Sequence, residues 1–294
     1  MPFLIALVVD GALAGAIYAL IALGFVVVYK ASRVINFALG EWMMLGAFLV
    51  AAGLHVLALG LSAALLAACA GMITLAIGFN HVVVRPLMGR PVVSLLMVTL
   101  GLGALLRGAV SLLFRGVPSG IPLPMPREPL AMGSLLLSAD KVAAGLVAAL
   151  AVAVVTALFR WSRTGVALRA IADDDRAAMA VGIDVERHLA IAWSTLGVLS
   201  VLAGTLWTAI ASGGVGVALV GVKIFPIVIL GGLDSIPATI VAAVLVGVLE
   251  SLVAGYLDPV VGGGFSLVAT FLVAIAVLLA RPAGLLGGAD VRRV

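Results

Sequence analysis

Charge is what this sequence has least of. Lys, Arg, Asp and Glu make up 10% of its 294 residues, where a soluble domain carries about 25%. So few charges cannot clothe a soluble surface, and two soluble domains are excluded. Cysteine is also scarce: Cys69 stands alone in an apolar stretch. That excludes an intrachain disulfide and leaves a small packing residue. His55, His81 and His188 are scattered without ligand spacing, so they suggest no metal site. No GxxxxGK[ST], GxSxG or HExxH occurs, so no nucleotide-binding or hydrolytic machinery is visible. No basic run interleaved with aromatics points to nucleic acid. What is abundant is apolar surface, at 64% of residues, together with 35 glycines. Membrane lipid is the solvent that suits this composition, and glycine lets spanning helices pack closely. The expectation is one integral-membrane domain over 1–294.

Eight segments are long and apolar enough to span: 4–28, 37–56, 61–84, 92–114, 141–159, 189–210, 236–256 and 264–280. Their unbroken apolarity predicts helices, not alternating barrel strands. The first is read as a retained span, because it lacks the basic start of a cleavable signal. Lys30, Arg33, Arg85, Arg90 and five arginines of 160–188 fall on the odd-numbered connections. Through the fifth connection, only Arg115 and Arg127 fall on the even ones. The positive-inside rule then puts the N-terminus outside and 160–188 in the cytoplasm. Arg281, Arg292 and Arg293 call for a cytoplasmic tail, which eight spans cannot deliver. A ninth crossing within 213–233 would restore the parity. Lys223, Pro226 and the glycines there instead suggest a broken or re-entrant piece near 225–237. The fold class is therefore an all-α polytopic membrane protein of eight or nine transmembrane helices. The proline-rich stretch 117–129 cannot be helical throughout and reads as a stiff external connector or a docking surface.

Ten of the thirty charged residues are concentrated in 160–188. Asp173, Asp174 and Asp175 suit the start of a helix running from about Asp174 to Val181, and Gly182 suits its left-handed end. Five acidic and five basic side chains make a near-neutral surface. That favours a protein contact over anionic lipid. An ordinary solvated loop fits equally well.

Two further stretches carry polar groups inside apolar runs. In VINFALGEWMMLGAF, residues 34–48, Asn36 and Glu41 stand beside Gly40 and Gly46. Such residues line water or protein interiors, or Glu41 snorkels or pairs with Lys30 or Arg33. In VILGGLDSIPATIVAAVLVGVLESL, residues 228–252, Gly231, Gly232 and Pro237 break the helical pattern around Asp234 and Ser235. Broken helices line many transport sites, and a plain turn competes. Arg107 is near an outer end and is expected to snorkel. Gly11 and Gly15 are spaced for close helix packing. Trp42, Trp161, Trp193 and Trp207 fall near span ends, as interface anchors do.

These stretches in this order, with LRAIADDDRAAMAVGIDVERHLAIAW between them and RPAGLLG after them, resemble branched-chain amino acid ABC transporter permeases of the LivH type. The 160–188 segment also resembles the E-A-A-x-x-x-G loop of ABC importers, through Ala177, Ala178 and Gly182. Arg176 replaces the Glu of that loop. Leu39 stands where many relatives have His, and Asp234 and Ala238 where Gly is common.

The resemblance implies alternating access driven by partners. These are a second, LivM-like permease, two cytoplasmic ATPase subunits that bind ATP and Mg, and an extracytoplasmic substrate-binding protein. It implies the bacterial inner membrane as the location. It also implies no cofactor and no catalytic role in this chain, and an ATPase-coupling contact at Asp174, Ala177, Ala178, Gly182 and Ile183. Asn36, Gly40, Glu41, Gly231, Gly232, Ser235 and Pro237 are the expected path residues. Urea or short amides remain alternative cargoes. A stand-alone secondary transporter or channel is the alternative from another class.

Overall fold

The computed structural model describes residues 2–87, 90–124, 130–132, 135–211 and 213–281. The chain is helical along nearly all of this length. Its helices are α1 (Pro2–Ser32), α2 (Leu39–His55), α3 (Leu61–Phe79), α4 (Arg85–Leu87), α5 (Val92–Leu113), α6 (Ala139–Trp161), α7 (Arg163–Asp173), α8 (Asp175–Ala180), α9 (Val185–Ile210), α10 (Val217–Gly231), α11 (Ile236–Tyr256), α12 (Asp258–Val261) and α13 (Phe265–Ala280). A π-turn, Asn80–Val84, joins α3 to α4 without a break. A short antiparallel hairpin pairs β1 (Leu130–Met132) with β2 (Leu135–Leu137). Each of the eight expected spans coincides with a long or medium apolar helix. Among the described residues, six helices are long and apolar enough to cross a membrane, and α2, α10 and α13 are shorter apolar helices.

The expected break within 225–237 is present at Gly231–Pro237, while the expected disruption at Lys223 and Pro226 is corrected. Helix α10 runs unbroken through Pro226 to Gly231, and the interruption is only the turn 232–235. Proline removes one backbone hydrogen bond, a tolerable loss where the surrounding turns stay intact. Gly232 takes a left-handed φ of 93°. Ser235 caps α11 by accepting from the Ala238 N–H at 3.4 Å, and Pro237 sits in the first turn. Those are the stop and start signals of two separate helices.

The helices form two compact groups, one of residues up to Val26 with 123–152 and 223 onward, the other of 27–122 with 153–222. In the first group, α1 meets α11 where both lack side chains. A Cβ on Gly11 would lie 2.6 Å from the Gly247 carbonyl oxygen, and one on Gly15 would lie 2.7 Å from the Val244 Cα. This close approach lets polar atoms inside apolar helices meet. Tyr18 donates to Glu250 at 2.7 Å, Lys223 reaches Glu250 at 2.6 Å, and Lys141 reaches Asp10 at 2.6 Å. Asp258 begins the turn into α13 and accepts from the Ser266 N–H at 2.9 Å and the Ser266 hydroxyl at 3.0 Å.

In the second group α2, α3 and α9 pack mutually, with α5 against α2. Gly46 of α2 abuts Val201 of α9. Trp42 and Trp193 are wholly buried, with ring centroids 6.0 Å apart and Phe79 5.0 Å from Trp193. These two indoles therefore pack a helix interface and do not anchor the bilayer surface. Trp161, 78% exposed, keeps the character expected of an anchor, and Trp207 is half-buried.

Candidate functional site

The polar segment at 160–188 folds as two short helices before α9. Ser162 caps α7 by accepting from the Gly165 N–H at 3.0 Å. Arg169 donates to the carbonyls of Phe159 and Arg160, covering the free end of α6. Gly165, Leu168 and Ile171 form the buried stripe of α7. Asp174 caps α8, accepting from the Arg176 and Ala177 N–H groups at 2.9 and 3.0 Å. The helix ends as its sequence suggests: Gly182 has φ of 86°, and the Gly182 and Ile183 N–H groups reach the Met179 and Ala178 carbonyls, both at 3.0 Å. Ala178 faces inward, while Ala177, Met179 and Val181 face outward. A rigid helix-turn thus presents a small apolar knob to its surroundings.

The helix leading into the knob is held in turn. Arg33, which ends α1 with a left-handed φ of 55°, donates to the Ala172 carbonyl at 2.8 Å. A cleft of about 370 Å³ lies between Lys30–Arg33 and Ile171–Asp175. Arg85, on α4, pairs with Glu186 in the first turn of α9. These contacts tie α7, which leads into α8, to the end of α1, and tie α4 to the start of α9.

The second polar place lies deeper. Residues 33–38 are not helical, so their backbone groups need partners. Asn36 supplies one, its Oδ1 accepting from the Ala38 N–H at 3.0 Å. Thr99 of α5 accepts from the Phe37 N–H at 3.4 Å, and its hydroxyl hydrogen is shared between the Leu96 carbonyl at 3.0 Å and the Ile35 carbonyl at 3.4 Å. Asn36 is buried, and its Nδ2 has no partner among the described residues. One turn along α5, Gly103 gives room for the Glu41 carboxylate, whose Cδ would lie 3.3 Å from a Cβ there. One turn further, Arg107 donates its Nη2 to Glu41.

Thr99, Gly103 and Arg107 thus form a line at helical spacing that receives the start of α2. This corrects two expectations. Glu41 pairs with neither Lys30 nor Arg33, and Arg107 turns to a carboxylate instead of snorkelling. Depth is the reason. Gly103 is eleven residues into α5, about 16 Å along its axis, so Glu41 is far from the basic residues at the helix ends. Gly40 packs against the backbone of Ala218 and Gly221 on α10.

Gly231, Gly232, Ser235 and Pro237 form the α10–α11 turn of the other group. Gly231 packs on the Thr239 backbone, a Cβ falling 2.5 Å from its Cα, and Pro237 is exposed. The contacts made by Glu250, Tyr18, Lys223, Asp10 and Lys141 were missed by sequence reasoning. The available signal was Asp10 and Glu250 themselves, acids inside apolar runs. RPAGLLG, past Arg281, lies outside the described residues.

The sequence profile described as "Branched-chain amino acid transport system / permease component" matches residues 7–280. The permease BraD of a Pseudomonas aeruginosa high-affinity branched-chain amino acid transport system is 32% identical, over 97% of this chain and 96% of that one. The LivH permease of the corresponding Salmonella typhimurium system is 30% identical over the same shares. Among solved structures, Streptococcus pneumoniae PsaBC in complex with Fab aligns with a TM-score of 0.47 and 16% identity, over 94% of this chain and 91% of that one.

Proposed function

The chain belongs to the permease-component family of branched-chain amino acid transport systems, and from that premise we propose that it is the membrane subunit of an ATP-driven importer of branched-chain amino acids. The observation that carries this reading is likeness along the whole chain to permease components. In this reading the chain forms one permease domain in the bacterial inner membrane. It pairs with a second permease, two ATPase subunits that bind ATP and Mg, and a binding protein outside.

Nine crossings, by α1, α2, α3 with α4, α5, α6, α9, α10, α11 and α13, satisfy the charge pattern. They put the N-terminus outside and 160–188, the 232–235 turn and Arg281 in the cytoplasm. The α8 helix-turn, with Asp174, Ala177, Ala178, Gly182 and Ile183, is the contact that receives ATPase motion. Its capped, left-handed termination makes it stiff enough to push on α1 and α9. Asn36, Gly40 and Glu41 serve the path by holding α2 open at depth.

The test is reconstitution with the partner subunits and labelled leucine. Gly182→Val forces a β-branched side chain into a left-handed conformation, at a cost of about 1–2 kcal/mol. Leucine import and substrate-stimulated ATP hydrolysis are expected to fall about tenfold or more. Unchanged coupling in that variant refutes the α8 assignment. Leucine flux through the purified chain alone would favour a stand-alone transporter.

A further inference from the structure

Among the described residues of the second group, Glu41 in the first turn of α2 and Arg107 of α5 form an acid–base pair that meets beside Gly103, well inside α5. Ionisable groups at such depth are costly, and hydrocarbon does not tolerate them unpaired. The pair is asymmetric. The Glu41 side chain is 9% exposed, while that of Arg107 is 48% exposed. A guanidinium carries five N–H donors in a planar fork, and the Nη2 contact to Glu41 leaves much of that fork facing away from the chain. Beside it the surface is bare. A Cβ on Gly108 or Gly101 would meet nothing within 4 Å, and Ala104 and Ser111 are small and exposed. Depth matters as well: the guanidinium meets Glu41 beside Gly103, which is about 16 Å along α5 and close to the middle of a hydrocarbon core about 30 Å thick. An uncovered guanidinium there requires a partner chain or an aqueous path, not lipid.

We propose that the Glu41–Arg107 pair is the mid-membrane anchor for the zwitterionic head of the cargo. The cargo carboxylate takes the outward donors of Arg107, and its ammonium takes the remaining acceptor capacity of Glu41. The inference rests on the permease reading above and narrows it. A neutral pair greets a neutral zwitterion with both signs in place, whereas urea or a short amide offers no charge to either side. Asn36, with a buried and unpartnered Nδ2, is a positioning residue that fixes the entrance of α2.

The experiment uses the full complex in proteoliposomes, with labelled leucine and the binding protein present. The wild type must import leucine; failure there defeats the permease reading and leaves this pair unaddressed by it. Glu41→Gln with Arg107→Gln removes both charges but keeps size and a hydrogen bond. Assembly with the partner subunits, read by co-elution, is expected to persist. Leucine import is expected to drop about 50-fold or more. The loss should fall on maximal velocity, because the binding protein sets the half-saturating concentration. Arg107→Lys keeps a point charge without the fork and should retain about one-tenth of import or more.

Import by the neutral pair within about twofold of wild type overturns the proposal. Should the neutral pair fail to assemble, the swapped pair Glu41→Arg with Arg107→Glu decides. It keeps the attraction but buries the donors and exposes an acceptor. Assembly with import below one-tenth supports the anchor, and assembly with full import assigns the pair to structure alone. Failure of both variants to assemble also assigns it to structure and overturns the proposal.

Discussion

Replacing Gly11 with Ala should pry α1 from α11. The new Cβ would lie 2.6 Å from the Gly247 carbonyl oxygen and 2.6 Å from the Val248 Cα. Both are backbone atoms, so no rotamer change can relieve the overlap. The distance falls about 0.8 Å short of ordinary contact, and the helices must separate by a comparable amount. A gap of that size forfeits roughly a quarter to a half of each dispersion contact across the crossing, at about 0.1–0.2 kcal/mol per pair. Over some tens of pairs this amounts to about 2–3 kcal/mol. Lipid supplies no hydrophobic force to close the gap again. Part of the loss is masked, because Ala favours a helix over Gly by up to about 1 kcal/mol.

Gly78→Ala supplies the reference, since a Cβ there meets nothing within 4 Å. Far-UV circular dichroism followed through an SDS titration should place Gly11→Ala about 2–3 kcal/mol below Gly78→Ala. The separation should also weaken Tyr18 to Glu250, now 2.7 Å, because α1 carries Tyr18 on the same face as Gly11, two turns along. Equal stabilities for the two variants would refute the packing argument.

Two more outcomes concern groups in the same half of the chain. Lys223→Met leaves the Glu250 carboxylate, 18% exposed, with Tyr18 alone, and should cost about 3 kcal/mol in the same titration; adding Glu250→Gln should recover at least half, and no recovery would show that the charge is not the cause. At Asp258 desolvation raises the carboxyl pKa, but hydrogen bonds from Ser266, Gly264 and Phe265 together outweigh it and hold the pKa below its ordinary value of 3.8. A depressed acid stabilises above its unfolded pKa and loses that contribution as pH falls through the folded one. The stability gap between wild type and Asp258→Asn should therefore be constant above about pH 5 and shrink below about pH 4. A gap unchanged at about pH 3 would refute a role for the charge.

The α8 helix was legible because every signal for it is local. Asp174 can cap only the residues after it, and Gly182 can end only the residues before it. The Gly11 and Gly15 spacing was legible for the same reason, although which helix it meets was not. The break around Gly231, Gly232 and Pro237 was legible, whereas Lys223 and Pro226 misled because they look disruptive when their partners are unknown. Lys223 turned out to be satisfied by Glu250, 27 residues later, and Pro226 to be carried within intact helix. Trp42 and Trp193 misled in the opposite way. Their positions near span ends suggest anchoring, and only packing showed them touching one another.

The sequence alone determined the membrane solvent and the helical class. Each depends on composition or on sums along the chain, and no contact can change them. Four stretches in order were also enough for the family resemblance. Tertiary structure alone decided which ionisable groups meet. Glu41 and Arg107 are 66 positions apart, and hydropathy assigns them to different spans at apparently different depths. They pair because residues 33–38 are not helical, which starts α2 about 10 Å along α5, and because Gly103 leaves the carboxylate room. The start of a helix inside the membrane depends on hydrogen bonds to a neighbouring helix, and that dependence has no signature in local sequence.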